Sequence, residues 1–254
     1  MIVWLASFPR SGNSLFRAAL YQLFGVRSGS VFPERRGVDP FLDDVSLHLG
    51  EDSVDAMRGR KAPVFVKTHR LAEADDPSPA IYLVRDGRDA LVSYAHFVKE
   101  RGERGFKTIP LERVREKLIE RENHPYGSWS ANVRAWTRRE APTALVRFEE
   151  LVESPARAVR DAAASVGISL PEPSGELPSF EELHEKNPIV FRRGRIGSWK
   201  AELEAYLEER FWELHGAEML VMGYSRGHPF ARTDAHPGAR RRRRRAQYRR
   251  RRAR

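Results

Sequence analysis

Four short runs of apolar, mostly branched residues stand out along an otherwise polar chain: Ile2–Ala6, Val64–Lys67, Ile81–Val84 and Ala144–Phe148. Runs this short, rich in β-branched residues, read as strands buried on both faces. Helical patterns follow several of them. Ser14–Phe24 is apolar around much of its surface, and Ala90–Phe97 continues the third run. Pro155–Val166 is alanine-rich, carries proline in its first turn and stops before Gly167. Near the end, Leu203, Leu207, Phe211 and Leu214 recur on one helical face. Strands alternating with helices predict an α/β fold: a mostly parallel sheet with helices on both faces.

Between these elements, residues 99–139 are charged and partly helical, with a break at His124–Gly127, and read as an insertion or cap on the sheet. Residues 169–198 carry several prolines and glycines and read as loop. The chain has 254 residues, enough for one large domain with a buried core. Residues 1–225 form the expected domain. Residues 226–254 are expected to be a disordered, arginine-rich C-terminal tail. The tail changes the meaning of the formal net charge of +10. Eleven of the 45 basic residues lie in 240–254, which leaves 34 basic against 35 acidic residues in the rest of the chain. The body is close to neutral, and any polyanion contact falls to the tail. With no cysteine, disulfides and thiolate chemistry are excluded. Neither a leader pattern nor an apolar stretch of about 20 residues is present, so a cytoplasmic location is expected.

Four polar clusters sit where the apolar runs end. The first is "SFPRSGNS", residues 7–14. Pro9 ends the strand, Gly12 permits close backbone approach, and Arg10, Ser11, Asn13 and Ser14 bring donors and a forked cation to a helix start. This is an anion-binding turn, or simply a well-capped helix after a strand. The second is "VFVKTHR", residues 64–70. Lys67 and His69 lie two apart and share a face, which suits charge stabilisation beside a proton acceptor. A structural histidine fits the same pattern. The third is "RDGRDALVSY", residues 85–94, in which Arg85 ends a strand and Ser93 lies roughly 7–8 Å along the next helix at ~1.5 Å per residue. The two can grip one phosphate, while Asp86 and Asp89 cap the helix and pair with nearby arginines. The fourth is "FRRGRIGSWK", residues 191–200, a basic, glycine-containing loop able to close over a phosphate, or else a solvated charge run.

Taken in order, these clusters resemble the sulfotransferase family that uses 3′-phosphoadenosine 5′-phosphosulfate (PAPS). "SFPRSGNS" is similar to its 5′-phosphosulfate loop, "KTH" to the segment with its catalytic histidine, and "RDGRDALVSY" to its 3′-phosphate motif. "RRGRIGSWK" is similar to its late basic loop, and "VRFEELVESP", residues 146–155, to the strand-to-helix stretch before it. The resemblance covers residues 1 to about 224. It implies a sulfotransferase fold related to P-loop nucleotide kinases, with no metal needed for transfer. Arg10, Ser11, Gly12, Asn13 and Ser14 would then cradle the 5′-phosphosulfate, and Arg85, Ser93, Arg192, Arg193 and Gly194 the 3′-phosphate. His69 would be the general base, with Lys67 and Arg10 stabilising the transferring group. The product would be adenosine 3′,5′-bisphosphate (PAP), and the acceptor a small molecule or saccharide with a hydroxyl. Three positions depart from the animal members of the family. Arg10 stands for a lysine, Leu15 for a tryptophan that stacks on adenine, and Arg193 for a lysine.

Two other readings remain open on the residues alone. A P-loop kinase using ATP and Mg²⁺ would need a G-x-x-x-x-G-K-[ST] loop, which is lacking, and a magnesium-holding carboxylate, for which Asp86 is the candidate. A nucleic-acid-binding protein would use the arginine tail but leaves Lys67, His69, Arg85 and Ser93 without a purpose.

Overall fold

The computed structural model describes residues 1–32, 46, 54–60, 62–103, 105–122, 124–192 and 194–227. Arg193 and the arginine-rich residues 228–254 lie outside the described residues. Five strands form one all-parallel sheet: β1 (Ile2–Ser7), β2 (Ser28–Ser30), β3 (Val64–Thr68), β4 (Ala80–Val84) and β5 (Thr143–Arg147), in the order β2-β3-β1-β4-β5. All four expected strands are present. The last of them ends one residue early, because Phe148 already begins a helix.

Each central strand is apolar on both faces because both faces are covered. Ile2, Trp4 and Ala6 of β1 point into one core with Val64, Val66, Tyr82 and Val84. Val3 and Leu5 point into the other with Phe65, Ile81 and Leu83. The second core is roofed by helix α1 (Asn13–Phe24), which ends at Gly25 in the left-handed region (φ 67°). Beyond Val54–Arg58 (α2), helix α3 (Gly87–Glu100) roofs the first core.

Residues 99–139 are more than a cap. They contain α4 (Leu111–Ile119) and α5 (Trp129–Thr137), and Trp129, Val133 and Trp136 of α5 belong to the sheet's own core. The expected break at 124–127 is a turn, closed by Gly127 N–H donating to the His124 carbonyl at 2.8 Å. Helices α6 (Phe148–Glu153) and α7 (Pro155–Ser165) pack on the second core. The loop-rich stretch holds a short helix α8 (Phe180–Lys186), started by a reciprocal Ser179–Glu182 capping box. After α9 (Trp199–Glu202) comes α10 (Ala205–Val221). Its buried face is not the expected leucine stripe: Leu207 and Phe211 are buried with Trp212, His215 and Met219, but Leu214 is exposed. Among the described residues no helix is long and apolar enough to cross a membrane.

This topology sets the location of the chemistry. Because all strands run the same way, Ser7, His69, Arg85 and Phe148 leave β1, β3, β4 and β5 at one edge of the sheet. The chain runs from the central β1 to strands on either side, and the crevice beyond the carboxyl ends at such a point is where open parallel sheets bind ligands.

Candidate active site

At that edge lies a cavity of about 500 Å³, lined by Arg10, Gly12, Asn13, Ser14, Lys67, His69, Arg85, Ser93, Arg192 and Gly194 together with apolar and aromatic side chains. Of the residues singled out from sequence, only buried Ser11 stands behind this wall, and Arg193 is outside the described residues.

The turn after β1 is built by backbone conformations that few residues accept. Arg10 has φ 67°, unusual for a residue with a Cβ, and Gly12 has φ 98°. A Cβ on Gly12 would lie 2.8 Å from the Phe148 ring, so glycine is required both by conformation and by close approach. As the N-cap of α1, Gly12 brings no capping side chain, so the first N–H groups of the helix are left for a ligand. Asn13 acts as a brace: its amide donates to the Leu5 carbonyl at 2.8 Å and to Ser7 Oγ at 3.2 Å. Ser11 Oγ and Asn13 Oδ1 are buried with no partner.

Arg10 does not curl over its own turn. Its Nε donates to Ser93 Oγ (3.1 Å), a second N–H donates to the Val190 carbonyl (2.7 Å), and its guanidinium lies over Phe97. It therefore joins the first and third sequence clusters. Arg85 reaches the same place from β4, stacked 4.3 Å over Phe148, donating to the carbonyls of Arg10 (3.2 Å) and Arg195 (2.8 Å). Its Nε is buried without a partner. Burial first, and then the charges of Arg85 and Arg192, lower the Arg10 guanidinium to about 9. Crowded cations with orphaned donors are the mark of a site that an anion completes. Arg192 lines the cavity but forks onto Glu202 with both bonds at 3.0 Å.

The plainer reading of the aspartates also holds. Asp86 caps α3 through Arg88 N–H and pairs with the fully buried Arg88 guanidinium at 2.8 Å. Asp86 is thus engaged in the helix cap and in a buried ion pair. Asp89 accepts from the N–H groups of Gly197 (2.7 Å) and Trp199 (3.0 Å), which fastens the basic loop to α3. Gly194 has φ 60°, and a Cβ there would come within 2.5 Å of the Phe180 ring.

His69 stands across the cavity, where β3 ends. Its Nδ1 lies 2.8 Å from the Ser7 carbonyl, an acceptor only, so Nδ1 carries the proton and Nε2 is left as the acceptor. Burial foremost, then Lys67, Arg10 and Arg17, hold its pKa down at about 3. The imidazole is therefore neutral at ordinary pH. Its ring stacks on Phe32 (5.5 Å) and meets Tyr126 edge-on (5.8 Å).

Several contributors had no clear mark in the sequence. Asn132 is fully buried on α5, donates to the carbonyls of His69 and Tyr126 (both 2.9 Å) and accepts from the Tyr82 hydroxyl (3.0 Å). It ties the histidine segment to the aromatic wall. The available signal was a polar residue on the same helical stripe as Trp129, Val133 and Trp136. Asn132→Ala leaves those groups without partners, and each buried orphan costs about 1–3 kcal/mol. The variant is expected to lose at least that much stability in urea unfolding. A change below about 0.5 kcal/mol, the range of an ordinary surface substitution, would contradict the brace.

Comparison with known proteins supplies an independent view. Residues 2–223 match the sequence profile of the family described as "Sulfotransferase domain". Sulfotransferase 1A1 of Mus musculus is 27% identical over 254 residues, spanning 86% of this chain and 84% of that protein. Sulfotransferase 1B1 of Mus musculus is 25% identical over 251 residues, spanning 85% and 81%. Among solved structures, mouse sulfotransferase SULT7A1 complexed with PAP is similar with a TM-score of 0.57 at 16% identity, covering 86% of this chain and 84% of that one. Retinol dehydratase in complex with retinol and PAP is similar with a TM-score of 0.56 at 15% identity, covering 86% and 81%. At these identities the structural likeness establishes the fold.

Proposed function

Since the chain belongs to the sulfotransferase family, we propose that its cavity transfers a sulfuryl group from PAPS to an acceptor hydroxyl, with His69 as general base. The observation that carries this is the meeting, in one cavity, of a cationic anion site and a neutral histidine with Nε2 free to accept. The buried, partnerless Arg85 Nε on the cavity wall fits an anionic co-substrate. PAP in the two structural neighbours supports the same choice.

In this reading the α1 N-terminus with Ser14, Lys67 and Arg10 takes the 5′-phosphosulfate. Arg85 and Ser93 take the 3′-phosphate, with Arg192 released from Glu202 and Gly194 allowing the loop to approach. Adenine lies against Leu15 and Phe180 on the cavity wall, in place of a stacking tryptophan. The acceptor oxygen attacks sulfur and its proton passes to His69 Nε2. The bond from sulfur to the bridging oxygen breaks, and PAP leaves with the electron pair. Preformed cations and N–H groups aimed at that oxygen supply most of the stabilisation.

The test is ligand-induced stabilisation. PAP is expected to raise the melting temperature more than AMP or ATP with Mg²⁺, since a ligand at a hundred times its Kd adds roughly 2.7 kcal/mol. Phe180→Ala should weaken PAP by about 1–3 kcal/mol, the worth of one base–aromatic stack. Equal shifts with AMP and PAP would remove the 3′-phosphate site. For the arginine-rich segment beyond the described residues we propose polyanion contact. Deleting 228–254 should weaken salt-sensitive binding to nucleic acid while PAP binding persists. Loss of PAP binding on deletion would show that the segment belongs to the donor site.

A further inference from the structure

Of the described arginines proposed to hold the donor, one differs from the others in its hydrogen-bond acceptors. Arg10 and Arg85 donate to neutral groups: the Ser93 hydroxyl and the Val190, Arg10 and Arg195 carbonyls. The Asp89 carboxylate lies 3.9 Å from Arg85 Nη2, outside hydrogen-bond reach, and accepts the N–H groups of Gly197 and Trp199 instead. Arg192, by contrast, is closed onto a carboxylate. Its Nη1 and Nη2 donate to the two oxygens of Glu202, both at 3.0 Å, and each side chain is only 15% exposed. A two-bond fork of this kind is also what an arginine offers a phosphate.

Glu202 is delivered to this place by an anchor of its own. It ends the short helix α9, whose first residue, Trp199, is buried with the Arg88 guanidinium stacked 3.6 Å over its ring. Glu202 Oε2 also accepts from His96 Nε2 at 2.9 Å. His96 lies three residues after Ser93 on α3, so the two share a helical face and the carboxylate stands beside the proposed 3′-phosphate site. The basic loop does not depend on the Arg192–Glu202 pair for its shape. Between those residues it is pinned by Arg85 on the Arg195 carbonyl, and by Asp89 on the N–H groups of Gly197 and Trp199. Arg192 can therefore change partners while the loop stays in place, and Glu202 then keeps His96.

We propose that Glu202 is a built-in competitor of the 3′-phosphate for Arg192, and so sets how tightly 3′-phosphorylated nucleotides bind. In the donor-free protein the carboxylate holds the guanidinium. An entering 3′-phosphate, which carries more negative charge than a carboxylate at neutral pH, takes the fork over. As PAP departs, Arg192 returns to Glu202. Affinity is lowered by the share of molecules in which the pair is closed, and release is eased by the same amount. This rests on reading the cavity as a PAPS site with Arg192 at the 3′-phosphate.

The experiment measures Kd for PAP and AMP by calorimetry on the full chain, in wild type, Glu202→Gln, Arg192→Gln and the double variant. Glutamine keeps the length and an accepting oxygen but removes the charge. PAP is expected to bind Glu202→Gln about tenfold more tightly than wild type, the scale of one charge-assisted contact, chiefly through slower dissociation. AMP, which lacks the 3′-phosphate, should bind both alike. On the Arg192→Gln background the same substitution should lose most of its effect, because the two residues act as a pair. Weaker PAP binding in Glu202→Gln overturns the proposal and makes Glu202 the residue that aims Arg192. Equal gains for PAP and AMP, or equal gains with and without Arg192, also overturn it, since Glu202 would then only repel anions at large. Should Glu202→Gln fail to fold, Glu202→Asp, too short for the same fork, is expected to raise the preference for PAP over AMP. An unchanged preference there counts equally against the proposal. A wild-type protein that binds PAP and AMP alike removes the 3′-phosphate site itself, and the proposal with it. A wild-type preference for PAP that Glu202→Gln leaves unchanged removes the proposal alone.

Discussion

His69→Ala is expected to lower turnover by about 10²–10⁴-fold while PAP affinity changes little, the pattern of a lost general base. The geometry supports the split. His69 is held from below by the Ser7 carbonyl and Asn132, whereas the proposed donor cations other than Lys67 come from the turn after β1, from the end of β4 and from the loop after α8. The pH dependence follows from a pKa of about 3 in the free protein. The acidic limb of kcat/KM, which reports the free enzyme, should lie well below pH 6. The limb of kcat should lie higher, because bound PAPS offsets the Lys67 and Arg10 charges that press the histidine down. Stability moves in the direction set by proton uptake. Unfolded His69 titrates near about 6.5, so the unfolded chain binds the extra proton first, and stability is lost as pH falls from there toward 3. Near-normal turnover of His69→Ala with an acceptor of ordinary hydroxyl pKa would end the assignment.

How far the site was readable from sequence depended on what each residue answers to. The four apolar strands stood out because strands covered on both faces must be continuously apolar. Ser28–Ser30 did not, since "SGS" has no apolar residue. It is a strand because it pairs with β3 and because the buried Arg17 guanidinium donates to Ser28 Oγ at 2.7 Å. Lys67, His69 and Arg85 were legible because parallel strands deliver their C-terminal residues to one edge, and Ser93 because the helix that follows Arg85 starts at that edge. The direction of Arg10 was not, for it follows from a left-handed backbone conformation that only the packed turn enforces. Asn132, Phe32 and Tyr126 come from distant segments, and only tertiary packing brings them to His69. The leucine stripe of α10 misled because Trp212 and His215 rotate the buried face away from Leu214.

Arg10→Ala is expected to cost about 10²–10³-fold in turnover, the scale of removing one preorganised donor from developing charge. Although lowered to about 9, the guanidinium keeps its proton at neutral pH, and an incoming anion strengthens it further. Its bonds to Ser93 and the Val190 carbonyl set it between the two proposed phosphate sites. PAP should therefore lose some affinity in the alanine variant, but less than PAPS, which carries the sulfuryl group as well. Arg10→Lys should keep measurable activity, since Lys67 and the α1 N–H groups remain, although lysine cannot form the same fork. Wild-type turnover in Arg10→Ala would reduce the arginine to a contact that only shapes the turn.

The most direct measurement is mass spectrometry of a phenolic acceptor incubated with the full chain, PAPS and a metal chelator. The account predicts a product heavier by one SO₃ group, formed in equal amount with PAP. An acceptor unchanged by PAPS, but phosphorylated when ATP and Mg²⁺ replace it, would contradict it.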